Sequence, residues 1–238
     1  MDNSSPVSTL LYTAPPGLGW GDAAVPDFLS AAERGRLAGM RFAKRRRSWL
    51  LGRWAAKRLL QQALPGHPEP AQIEIANEPG GAPLARITGE PIPGCLTISH
   101  REDSALAAFT PDPRFAIGAD LEWVENDNPA FLNDYLSPLE QSAAAGLPPI
   151  ERAQWMYLCW SAKEAVIKAL RIGLRADPRD IELLDPAAGM PQTWTALDAR
   201  SRLPGAENLR LWWQPRGNWV LTLAVLNGPA DVTFVRLD

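Results

Sequence analysis

One long helical pattern, from Ile150 to Ile172 and followed by Gly173, constrains what this chain can fold into. A helix of that length needs cover, and β-like runs on either side supply it. Phe115–Val124 precedes it; Asp180–Leu184, Thr193–Leu197, Leu209–Trp213, Trp219–Leu226 and Val232–Leu237 follow. The runs that follow predict an antiparallel sheet packed on the helix. Trp160, Glu164 and Lys168 fall four residues apart and share one helix face. By themselves Glu164 and Lys168 read as an ordinary ion pair worth roughly 0.2–0.5 kcal/mol.

The strand before the helix alters that reading. Asp120 and Glu122 lie two apart, so both carboxylates project from one sheet face and repel. An exposed acidic strand end would account for them. A divalent cation would instead turn the repulsion into binding, and magnesium suits hard oxygen ligands. Gly118 fits a strand that something approaches closely. Ser137-Pro138-Leu139-Glu140 carries a cap serine, a proline in the first turn and a glutamate at the third position, and reads as a structural helix start.

Upstream, a short strand is expected near Leu10–Tyr12, and Ser30-Ala-Ala-Glu33 is a capping-box pattern. A helix from Lys44 to Leu64 follows, stopped by Pro65-Gly66, with Leu50, Leu51, Trp54, Ala55, Leu59 and Leu60 toward a core. Its other face is basic: Arg41, Lys44, Arg45, Arg46, Arg47, Arg53, Lys57 and Arg58 place eight cations in eighteen positions. That is either a solvated face or an anion site for a phosphate-bearing ligand. Gln72–Ile75, Leu96–Ile98 ending at Ser99-His100, and Ala105–Phe109 read as strands. Pro111-Asp112-Pro113 marks a boundary between an N-terminal half, 1–113, and a C-terminal half, 114–238. No sequence repeat is obvious, although the two halves share a coarse order of helix and strands.

Composition narrows the function. The 24 basic and 27 acidic residues nearly cancel, which argues against a nucleic-acid partner. No apolar run approaches the roughly 18 residues of a membrane span, and the first cation is Arg34, so no secretory signal is visible. Cys95 and Cys159 are expected as free, buried thiols. The chain therefore reads as soluble and cytoplasmic. With only His67 and His100, a multi-histidine metal site is excluded.

Three motifs stand in order: Leu96-Thr-Ile-Ser-His100, Ile117-Gly-Ala-Asp-Leu-Glu122 and Trp160-Ser-Ala-Lys-Glu-Ala165 continuing to Lys168, with forty-four positions from Asp120 to Glu164. This arrangement resembles the 4'-phosphopantetheinyl transferases of the larger, surfactin-synthetase-activating type. Weaker likenesses are Lys44-Arg-Arg-Arg through Leu51-Gly52-Arg53, the Gly80-Gly81-Ala82-Pro83 turn, and Phe131, Ser137 and Glu140. The resemblance implies an α+β fold of two similar halves related by a pseudo-twofold axis. Each half would be a long helix on a small antiparallel sheet, with coenzyme A in the cleft between them, in a monomer built as a pseudo-dimer.

It implies Mg²⁺-dependent transfer of 4'-phosphopantetheine from coenzyme A to a serine of an apo acyl or peptidyl carrier protein, releasing adenosine 3',5'-bisphosphate. By motif position Asp120, Glu122 and Glu164 would hold Mg²⁺. Glu164, Lys168 and His100 would be catalytic, and Arg45, Arg53, Ser99, His100 and Lys168 would contact coenzyme A. Ala82 departs from a phosphate-contacting lysine common in the family, with Arg86 as a substitute. That departure motivates the competing expectation of a catalytically inactive module binding coenzyme A or carrier protein.

Overall fold

The computed structural model describes residues 6–15, 25–126, 130, 134–185, 191–228 and 233–236. Phe131 lies outside them. The chain divides into two compact units, Met1–Pro113 with Asp231–Asp238, and Arg114–Ala230. Both are mixed α+β, as the helix-period and strand-period segments require.

In the first unit β1 (Pro6–Thr13) leads to α1 (Ala31–Ala38) and α2 (Ala43–Ala63). The meander β2 (Ile73–Asn77), β3 (Pro83–Ile87) and β4 (Glu90–Pro91) follows. The antiparallel pair β5 (Cys95–Arg101) and β6 (Ser104–Thr110) completes the run. Strand β6 also pairs antiparallel with β1, and α2 packs on these strands. Leu51, Ala55 and Leu59 of α2 meet Leu10, Ile73, Ile75 and Phe109 in one core. Gly52 brings α2 close to β5, because a Cβ there would stand 3.1 Å from Ile98 Cγ2 and 3.6 Å from His100 Cδ2.

The second unit repeats this order. Strand β7 (Ala116–Trp123) leads to α3 (Pro138–Ala145) and α4 (Pro149–Leu170). Then come β8 (Ile181–Leu183), β9 (Thr195–Leu197) and β10 (Ala199–Ser201). The hairpin β11 (Arg210–Arg216) and β12 (Trp219–Leu226) closes the unit. The sheet order is β7-β12-β11-β9, with α4 packed on β7 and β12.

Three expectations need correcting. The Asp180–Leu184 run does not join that sheet: among the described residues β8 pairs with β10, in a separate two-stranded ribbon. The last strand, β13 (Thr233–Arg236), does not join that sheet either: it runs parallel to β1, Pro6 opposite Thr233. Periodicity identifies a strand but not its partner. Lastly, α4 ends at Leu170 with Arg171 left-handed (φ 56°), two residues before the expected glycine.

Among the described residues each unit also contains a buried ion-pair device, built from the same residue types. In the first, Ser30 caps α1 and its backbone N–H donates to Glu33 Oε2 at 2.9 Å. Glu33 accepts from Lys57 Nζ and, through Oε1, from the Ile75 N–H at 3.1 Å. Lys57, 0% exposed, donates further to the carbonyls of Phe28 and Pro70. In the second, Ser137 caps α3 and its N–H donates to Glu140 Oε2 at 2.8 Å. Glu140 accepts from Lys163 Nζ at 2.7 Å and from the Leu183 N–H at 2.9 Å. Lys163, likewise 0% exposed, donates to the carbonyls of Ile181 and Pro178 at 2.7 and 3.1 Å. A buried ammonium survives because its carboxylate and carbonyl partners replace the lost water.

Candidate active site

The acidic strand and the motif helix meet face to face in the second unit. Residues Ile117 to Glu122 of β7 are all buried, and Asp120 and Glu122 are only 4% and 7% exposed. Gly118 sets the approach: a Cβ there would fall 2.0 Å from the Ala165 carbonyl oxygen and 2.5 Å from the Ala169 nitrogen. Only glycine lets the helix backbone lie directly on the strand. Across the sheet Asp120 stands opposite Thr222, whose hydroxyl is 2.8 Å from Ser161 Oγ of α4. The helix is therefore tied to both strands beside the carboxylates.

The side chains follow from that seating. Lys168 Nζ donates to Asp120 Oδ1 at 2.6 Å and to the Ala119 carbonyl at 3.2 Å. Trp160 Nε1 donates to Glu122 Oε1 at 3.0 Å, and its ring stacks edge-on against Tyr135 at 4.7 Å. Partial burial raises the Glu164 carboxyl above its ordinary value; the Asp120 charge adds to this and Lys168 opposes it. Asp120, Glu122, Trp160, Glu164 and Lys168 thus form one constellation of three carboxylates and one ammonium.

As a metal site it is a donor set, not a ready cage. Among the described residues no group of three or more His, Cys, Asp or Glu is disposed to hold an ion. The chemistry of the set nonetheless fits a hard divalent cation, because carboxylates close enough for Asp120 to raise Glu164 lose their repulsion when one binds.

The remaining expected residues lie in the first unit. Ser99 and His100 are consecutive on β5, Ser99 buried and His100 exposed beside Gly52. Arg45 is exposed in the first turns of α2. Arg53, expected at the nucleotide end of coenzyme A, is turned inward and only 6% exposed. It donates to Asn77 Oδ1 at 2.9 Å and lies over the Trp49 ring at 4.9 Å. Burial lowers its guanidinium to about 10. Lys57, counted on the basic face, is the buried partner of Glu33. Both departures have one cause: polar partners from other segments, Asn77 and Glu33, replace the water that each buried cation loses.

Two residues escaped the sequence reading. Trp160 was placed only on the helix face of Glu164, yet its indole N–H holds Glu122. Lys163, inside the motif, received no role. A signal for it existed: Trp54-Ala-Ala-Lys57 recurs as Trp160-Ser-Ala-Lys163, each lysine 24 or 23 residues after a capping-box glutamate.

Residues 116–224, which contain this constellation, match the model of the 4'-phosphopantetheinyl transferase superfamily. No curated protein matches the chain. Among solved structures, the Thermotoga maritima holo-[acyl-carrier-protein] synthase is 21% identical with a TM-score of 0.39, over 48% of this chain and 64% of that one. The Mycobacterium tuberculosis acyl carrier protein synthase is 24% identical with a TM-score of 0.32, over 48% of this chain and 97% of that one. The chain thus spans about two-thirds of the length of the Thermotoga enzyme.

Proposed function

We propose that this protein transfers 4'-phosphopantetheine from coenzyme A to a serine hydroxyl of an apo acyl or peptidyl carrier protein, releasing adenosine 3',5'-bisphosphate. The observation that carries the reading is the convergence of Asp120, Glu122, Glu164 and Lys168 within the superfamily segment. Phosphoryl-type transfer needs positioning and charge neutralisation more than covalent chemistry.

Asp120, Glu122 and Glu164 would hold Mg²⁺, whose charge offsets that of the pyrophosphate when bound. Glu164 would accept the serine proton, directly or through a water. The serine oxygen then bonds to the phosphorus bearing pantetheine, and the bond to the nucleotide phosphate breaks. Lys168 stabilises the departing phosphate, for which its ammonium exchanges part of its contact with Asp120. His100 and Ser99 contact the pyrophosphate and exposed Arg45 the nucleotide end; inward-facing Arg53 supports α2.

The test is transfer by Glu164→Gln and Asp120→Asn, each folded as judged by melting. Loss of transfer in both supports the assignment, and a near-normal rate in both removes it. A wild type that binds coenzyme A yet modifies no carrier would instead favour a non-catalytic binding module, the reading that Ala82 motivates.

A further inference from the structure

We infer that the buried Glu140–Lys163 pair is a positioning device that fixes the rotation and axial setting of α4, and so aims Glu164 and Lys168 at Asp120. The helix is buried on most faces: Ala153, Met156, Cys159, Ala162, Val166 and Ala169 are all nearly inaccessible. Apolar packing all round a helix holds it in place, and directional contacts from separate segments sharpen its rotational setting. Lys163 is the neighbour of Glu164, and its ammonium is bound from two segments: Glu140 of α3, and the carbonyls of Pro178 and Ile181 where the chain enters β8. Glu140 is fixed in turn by the N–H groups of Ser137 and Leu183, and its carbonyl accepts the Trp155 indole at 3.1 Å. Both charges are saturated, so neither faces a ligand. A rotation of α4 that moved Glu164 would break several of these bonds together.

The Glu33–Lys57 pair provides an internal control of the same construction, acting on α2. The catalytic arm of the test rests on the function proposed above; the exchange arm does not.

Three variants are compared with wild type: Lys163→Met, the charge-neutral pair Lys163→Met with Glu140→Gln, and Lys57→Met. Each is followed by steady-state transfer and by hydrogen–deuterium exchange. The double variant is expected to recover much of the melting temperature lost by the single one. Its kcat should stay reduced, on the order of a hundredfold for a displacement near 1 Å, with KM for coenzyme A little changed. Exchange in residues 160–170 should rise for the Lys163 variants and not for Lys57→Met, whose effect belongs in α2.

A double variant with wild-type kcat and wild-type exchange at 160–170 overturns the inference, as does equal opening of α4 in Lys57→Met. Should no Lys163 variant fold, exchange of wild type in rising denaturant decides. Residues 160–170 must open together with 137–145 and 181–183, and separate opening overturns the proposal. A wild type inactive on every carrier removes the catalytic reading only, because the exchange results stand by themselves.

Discussion

Gly118→Ala adds one methyl group where the strand and helix of the site touch, and its consequences follow from three distances. The new Cβ would lie 2.0 Å from the Ala165 oxygen, 2.5 Å from the Ala169 nitrogen and 3.0 Å from Lys168 Cβ. Non-bonded heavy atoms need about 3.5 Å, so β7 and α4 must part by more than about 1 Å. Two of the three obstacles are backbone, which cannot rotate away. Overpacking of this kind costs about 1–3 kcal/mol, and more where the backbone must move. At about 2–4 °C per kcal/mol for a chain of this size, the melting temperature should fall measurably. Activity should fall further than stability, because the helix carries Glu164 and Lys168 away with it. A loss on the order of a hundredfold is expected at temperatures where the variant is fully folded. Gly35→Ala is the control: nothing lies within 4 Å of its new Cβ, and a helical alanine adds roughly 0.5–1 kcal/mol of stability. A Gly118→Ala protein with wild-type melting and wild-type transfer would refute the close-approach argument.

Other expectations are briefer. Trp160→Phe removes the hydrogen bond to Glu122 but keeps a ring against Tyr135; a loss of about 1.5–3 kcal/mol is expected in thermal melts. Unchanged melting and transfer would return Trp160 to packing alone. Lys57→Met leaves the Glu33 carboxylate buried beside an apolar side chain and should cost about 3–5 kcal/mol by denaturant titration; a cost under about 1 kcal/mol would contradict the buried-pair account. Removing divalent cations with a chelator should abolish transfer, and Mg²⁺ should restore it. Full activity in the chelated protein would exclude a metal requirement.

Local chemistry was legible in the sequence wherever it is self-contained. Ser30 with Glu33, and Ser137 with Glu140, cap their helices as their spacing requires. Gly118 was recognised as a point of close approach because a glycine within an apolar strand has little other use. The acidic pair was legible as a site candidate because its repulsion has no local compensation. Non-local partners were hidden. Nothing in the Thr233–Arg236 stretch announces a parallel pairing with β1. Arg53 and Lys57 read as surface cations because burial of a charge depends on partners from other segments, Asn77 and Glu33. Trp160 was ambiguous for a similar reason: an indole packs in either case, and only the position of Glu122 shows where its N–H goes.

The central claim is tested most directly by the intact mass of an apo carrier protein incubated with this protein, coenzyme A and Mg²⁺, run across carriers of several classes. At least one carrier should gain the mass of one phosphopantetheine, with adenosine 3',5'-bisphosphate appearing in equal amount and both signals absent for Glu164→Gln. Unchanged mass on every carrier, with the protein folded and coenzyme A bound, would contradict the account.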